Sequence, residues 1–148
     1  MEKLQTVMDY LITLLMFLGL AIYNIRVSKG KRIRIDIKPI YNFIILGAGL
    51  VFLILTMKIG GRIGSYIVAF SALFYLCTSI YCQGIGEDAI YVLLGKSSIR
   101  KLSFDEIGEI KIDRRNYKIE IKADSTTYIQ TYKKEDYERV FAIIEKNR

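Results

Sequence analysis

Three stretches of this chain carry no charged residue: Tyr10 to Ile25, Ile40 to Met57 and Ile63 to Gly86. Leu4 to Met8 prolongs the first across a single Asp9, and the third is most apolar from Ile67 to Leu76. Each can supply the roughly 20 residues that an α-helix needs to cross about 30 Å of hydrocarbon. Such runs leave few structural options. Lipid offers the backbone no hydrogen bonds, so a crossing segment must satisfy its own as a helix. Three transmembrane helices are expected. Tyr10, Tyr23, Tyr41, Tyr66 and Tyr81 lie toward the ends of the runs, where an amphipathic ring favours headgroup depth.

The first run admits a second reading as a secretory signal, with Gly19-Leu20-Ala21 as a small-x-small cleavage site. Glu2 and Asp9 offset Lys3, however, so the positive leading segment of such a signal is missing. Cleavage would also leave a strongly basic segment on the outer side.

Charge divides the chain at about residue 86. Residues 1–86 hold nine Lys/Arg against three Asp/Glu, and residues 87–148 hold thirteen against twelve. The excess behind the net charge of +7 therefore belongs to the apolar half, which points to lipid headgroups and topology rather than to nucleic acid. Residues 1–86 are expected to be a transmembrane domain with a basic loop at 26–39, and residues 87–148 a small soluble domain. In the loop, Arg26, Lys29, Lys31, Arg32, Arg34 and Lys38 stand against Asp36 alone. Only Lys58 and Arg62 separate the second and third runs, and Lys96, Arg100 and Lys101 follow the third. Basic segments stay in the cytoplasm. The loop and the C-terminal domain are expected there, with Met1 and Lys58–Arg62 outside. The six basic loop residues are the candidate contacts for anionic lipid headgroups.

Little in the sequence suggests catalysis or transport. The three runs lack the ionisable groups that proton relays and ion pathways use. Gly47, Gly49, Ser65, Ala69 and Ala72 read as sites of close helix packing. Cys77 and Cys82, five apart on a helix, point in different directions and lie beyond disulfide reach. The chain has no His, the usual general base and metal ligand, and no Cys-x-x-Cys pair, so no metal or cofactor is expected. Glu87-Asp88 and Asp105-Glu106 read as turn or strand-edge acids. Gly60-Gly61-Arg62-Ile63-Gly64 lacks the Lys-Ser/Thr of a phosphate loop and reads as a tight outer turn. Gly84-x-Gly86 reads as a hinge leaving the membrane. Arg114 and Arg115, beside Asn116 and Tyr117, read as a solvated hairpin tip near an anionic leaflet.

Beyond Gly86 the apolar period changes from helical to two. Strands are expected at Ala89–Leu94, Ile99–Ser103, Glu109–Arg114, Lys118–Lys122 and Thr126–Tyr132. Turns are expected at Lys96-Ser97-Ser98, Arg115-Asn116 and Ala123-Asp124-Ser125. Tyr137, Val140, Phe141 and Ile144 then recur at helical spacing, with acids near the start and bases at the end, as the helix dipole favours.

Gly86-Glu87-Asp88-Ala89-Ile90-Tyr91, Ile99 to Leu102 and Ser103-Phe104-Asp105-Glu106-Ile107 together resemble bacterial pleckstrin-homology-like (PH-like) domains. Domains of that kind often follow transmembrane helices in small membrane proteins, the sublancin immunity type among them. The resemblance covers about residues 84–147. It implies an α+β domain, a bent antiparallel sheet capped by a C-terminal helix, and a binding or scaffolding role without catalysis. It also implies seven strands, of which the C-terminal half reads as about five.

Lys31–Lys38 alternates in the same way. As a strand it sets Arg32, Arg34, Asp36 and Lys38 on one face and Ile33, Ile35 and Ile37 on the other. Two readings stand: topology-setting charge with interfacial isoleucines, or an edge strand, Arg32–Lys38, that adds its isoleucines to the C-terminal core. Two functional classes follow for the whole chain. One is a non-enzymatic module presenting its cytoplasmic domain to a protein or peptide partner, for instance in immunity to a membrane-active peptide toxin. The other is an accessory subunit of a larger membrane complex.

Overall fold

The computed structural model describes residues 2–58, 62–95 and 98–147, with side chains from Gln5 onward. The outer turn expected around Gly60-Gly61, the hairpin turn at Lys96-Ser97 and the outer end at Met1 lie outside the described residues. The chain divides into two units, Met1–Tyr23 with Lys38–Thr78, and Asn24–Ile37 with Ser79–Arg148. Residues 24–37 precede the boundary expected at residue 86, yet they pack with the C-terminal half.

The first unit is built on α1 (Glu2–Val27), α2 (Pro39–Lys58) and α3 (Ile63–Tyr81), with the last turns of α1 and α3 passing into the second. Each helix is long and apolar enough to cross a membrane. Pro39 opens α2, where its missing N–H is one that a helix start leaves unpaired in any case. Three hydroxyls are satisfied within their own helices. Thr13 donates to the Asp9 carbonyl at 2.8 Å, Thr56 to that of Phe52 at 2.7 Å and Ser71 to that of Val68 at 2.7 Å, as apolar surroundings require. Small residues bring helices together. A Cβ on Gly64 would meet the Tyr10 ring at 3.1 Å, and one on Gly49 would touch Leu73 at 3.4 Å. Ser65 Oγ shares a 2.9 Å hydrogen bond with the Tyr10 hydroxyl, Ala72 is buried and Ala69 is half-buried. Gly47, expected to serve the same purpose, has nothing within 4 Å. Among the described residues of α2 only Thr56 is buried, and Phe43 and Phe70 are 71% and 73% exposed. Surface of that kind calls for a non-aqueous neighbour.

The second unit contains two antiparallel sheets and a helix. One sheet has the order β1 (Lys31–Arg34), β2 (Gly84–Gly86), β3 (Ala89–Leu94), β4 (Ser98–Ser103). The other has the order β5 (Glu109–Asp113), β6 (Lys118–Ala123), β7 (Thr126–Thr131). Helix α4 (Lys134–Lys146) follows. The last five strands and α4 lie within a residue or two of the positions expected from periodicity.

Two strands come from elsewhere. Gly84–Gly86 is no hinge but β2, paired with β1 on one side and β3 on the other. Its glycines are required by the close approach of β1. A Cβ on Gly84, whose φ is +151°, would run into the Ile33 carbonyl oxygen, and one on Gly86 into that of Gly30. β1 confirms an edge strand from the first loop, though a shorter one than Arg32–Lys38. Ile33 joins the core at 4% exposure and Ile35 packs against it, but Ile37 is only half-buried and lies outside it. The strand stops because the Asp36 N–H donates to the Thr131 carbonyl at 2.6 Å, which carries the chain across to the second sheet.

One apolar core fills the space between the sheets and α4. Ile33, Ile85, Ile90, Val92 and Leu102 come from the first sheet, and Ile110, Ile119, Ile121 and Ala123 from the second. Tyr132 precedes α4, which adds Tyr137, Val140 and Ile144. The continuous run of β3 reflects burial on both faces. Ile90 and Val92 face this core, while Ala89 and Tyr91 join Ile99 and Cys82 in a smaller cluster against Val27. Both cysteines are free thiols.

Candidate functional site

The basic residues of the first loop converge on β1 and its approaches, where they do different things. Arg26 is exposed in the last turn of α1, and Lys29 is exposed in the 3-10 turn Ser28–Gly30 that follows. Arg34 and Lys38 are exposed as well. None of these four forms an ion pair among the described residues, so their charge is open to an anionic surface.

Lys31 has a structural task. Its stem crosses Gly84, and its Nζ donates to the Tyr81 carbonyl at 2.6 Å. Tyr81 ends α3, where carbonyls lack intrahelical partners and the helix dipole is negative, so an ammonium fits. Withdrawal from water holds the Lys31 pKa below the ordinary lysine value; nearby Cys82 opposes that shift and Arg34 adds to it.

Arg32 belongs to a groove. β1 is bulged at this position, with Lys31 opposite Gly86 but Ile33 already opposite Ile85, so Arg32 faces no residue of β2. Bulges re-aim side chains. Here the guanidinium is swung toward Glu87, 3.4 Å away in the turn before β3. Arg32, Ile33 and Glu87 form one side of a groove of about 440 Å³, and Arg139, Ala142 and Ile143 of α4 form the other. Its floor is apolar and its rim carries two guanidinium groups and one carboxylate.

Asn24 is a residue that the sequence reading passed over. It sits at 0% exposure near the end of α1, donates Nδ2 to Ser79 Oγ at 3.2 Å, and accepts the Ile99 N–H on Oδ1 at 2.8 Å. Ile99 lies on β4, the far edge of the first sheet, so a helix side chain satisfies a backbone donor that no strand pairs. The available signal was a polar amide inside an uncharged, largely apolar run. Arg114 is exposed in the hairpin turn, as read from the sequence, and also lies over the Phe141 ring, 4.3 Å from its centroid.

No protein-family model matches this chain, and no match to it is found among curated proteins or solved structures. Among the described residues, the class that fold and site define is a chain of three apolar, membrane-length helices joined to a seven-stranded α+β unit.

Proposed function

We propose that the chain is a multi-pass membrane protein whose α+β unit is PH-like, lies in the cytoplasm and serves as a non-enzymatic binding or scaffold module. The observation that carries this reading is the pairing of β1 with β2. β1 follows α1, β2 follows α3, and two strands can pair only on the same side of a bilayer. Two crossings, α2 and α3, separate them, which returns the chain to the side it left. The exposed charges of Arg26, Lys29, Arg34 and Lys38 support a cytoplasmic side for that pairing, since basic segments are retained there. The four-plus-three arrangement of strands with a terminal helix supports the PH-like reading, because β1 and β2 complete the seven strands that such a domain needs. Immunity to a membrane-active peptide toxin is the concrete version that the resemblance suggests.

Cysteine labelling of intact cells tests the topology. In a background without Cys77 and Cys82, Gly60→Cys should react with an impermeant maleimide and Ser125→Cys should not. The reverse pattern would sink the orientation.

A further inference from the structure

The groove beside β1 has an unused strand edge along it. β1 ends its sheet: the Lys31 N–H is taken by the Ser28 carbonyl, and from Arg32 to Arg34 no strand other than β2 pairs with it among the described residues. A free edge is a template for another strand, and proteins commonly blunt one with charge and bulges. Arg32 and its bulge fit that protective role. Blunting does not account for the apolar floor lined by Ile33, Ala142 and Ile143, or for the second guanidinium across the gap.

Both arginines are weakly engaged. Arg32 lies 3.4 Å from Glu87 and Arg139 lies 3.8 Å from Asp136, with the arginine side chains 67% and 71% exposed. Exposed pairs of that length contribute little. A carboxylate entering between them would find two donor forks of a kind that suits bidentate hydrogen bonding. We propose that this groove binds an extended, acidic segment of a partner polypeptide, which pairs with the free edge of β1 and sets carboxylates between Arg32 and Arg139. Apolar residues alternating with the acids reach the floor, since neighbouring side chains of a strand point to opposite faces. This inference rests on the binding-module reading and supplies the chemistry of the partner.

The test uses the full chain in phosphatidylcholine nanodiscs and two acetylated peptides, one alternating Glu with Val and the other Lys with Val. The Glu peptide should bind and slow amide exchange within residues 32–34. Arg139→Glu, on the exposed face of α4, should weaken it about ten-fold and favour the Lys peptide, while Arg115→Glu at the hairpin tip should leave both unchanged. Binding that survives Arg139→Glu, or that slows no amide in 32–34, overturns the groove and leaves the binding-module reading standing. An equal loss with Arg115→Glu would reduce the effect to overall charge and overturn it too. If neither this peptide nor any from a displayed random library binds, both readings fall. Slowing without peptide on a change to phosphatidylglycerol would make the occupant a lipid headgroup. Slowing that grows with protein concentration would make it a second copy. Either replaces the acidic segment.

Discussion

Two tyrosine hydroxyls in the α+β unit share burial and differ in partners. Tyr132 donates to Gln130 Oε1 at 2.5 Å, and Gln130 Nε2 passes the chain on to the Tyr91 carbonyl at 2.8 Å, joining β7 to β3. Burial pushes the Tyr132 pKa far above the ordinary tyrosine value. The Tyr137 hydroxyl is buried without a hydrogen-bond partner among the described residues, its ring edge-on to Tyr117 at 5.4 Å. Removing one partner of a buried hydrogen bond costs about 1–3 kcal/mol, whereas removing a group that makes none costs little. Denaturant unfolding should therefore show Tyr132→Phe losing stability in that range, and Tyr137→Phe matching or exceeding the parent. Asp113 offers a pH-dependent case. The Asn116 side chain is the main cause of its lowered pKa, helped by the Arg115 and Asn116 N–H groups at 3.0 and 3.3 Å. A carboxylate with a depressed folded-state pKa stabilises above its unfolded value of about 3.9, and that contribution is lost as pH falls through the folded value. An NMR titration should place Asp113 below about 3.9, and Asn116→Ala should raise it.

At the scale of elements, β1 and β2 depend on each other. β2 is three residues long and has β1 on one side and β3 on the other. Ile33→Asp would put an unpaired carboxylate into the main core and should destabilise the unit by several kcal/mol, about 3 or more. Ile37→Asp, at the half-buried end, should cost far less. Gly84→Ala should be as harmful as its small size is misleading, because the new methyl group meets both the Ile33 carbonyl and a backbone angle that side chains rarely adopt. Amide exchange in the intact protein separates these outcomes from a loop. Exchange at Ile33 and Arg34 as fast as in a free peptide would contradict the pairing.

For the whole molecule, the basic loop predicts a lipid preference. Each exposed base near an anionic leaflet is worth about 1 kcal/mol, fading over a Debye length of about 8 Å. Replacing Arg26, Lys29, Arg34 and Lys38 together by Gln should lower the selectivity for spin-labelled phosphatidylglycerol over phosphatidylcholine in bilayers. Lys31→Gln should change it little, because that ammonium already serves the Tyr81 carbonyl. Unaltered selectivity in the fourfold variant would rule out these residues as the lipid contacts.

The helices, the last five strands and α4 could be read from the chain because each is long enough to display its own period. Absence of charge over a membrane-length run, alternation in Lys118–Ala123 and the spacing of Tyr137, Val140 and Ile144 are local facts. Alternation also offered β1, yet it could not set the strand's end, which depends on Asp36 meeting Thr131. Gly84-Ile85-Gly86 is too short to show any period, and its glycines matter only once β1 lies against them. The six loop bases looked alike as sequence. Distant partners then divided them, giving Lys31 a helix end, Arg32 a place beside Glu87 and α4, and the other four open surroundings. Glu87, Arg139 and Ala142 carried no mark of the groove, since a groove between segments far apart in the chain exists only after those segments have packed. Local pattern determined the elements; contacts between residues remote in sequence decided their edges, their partners and the site.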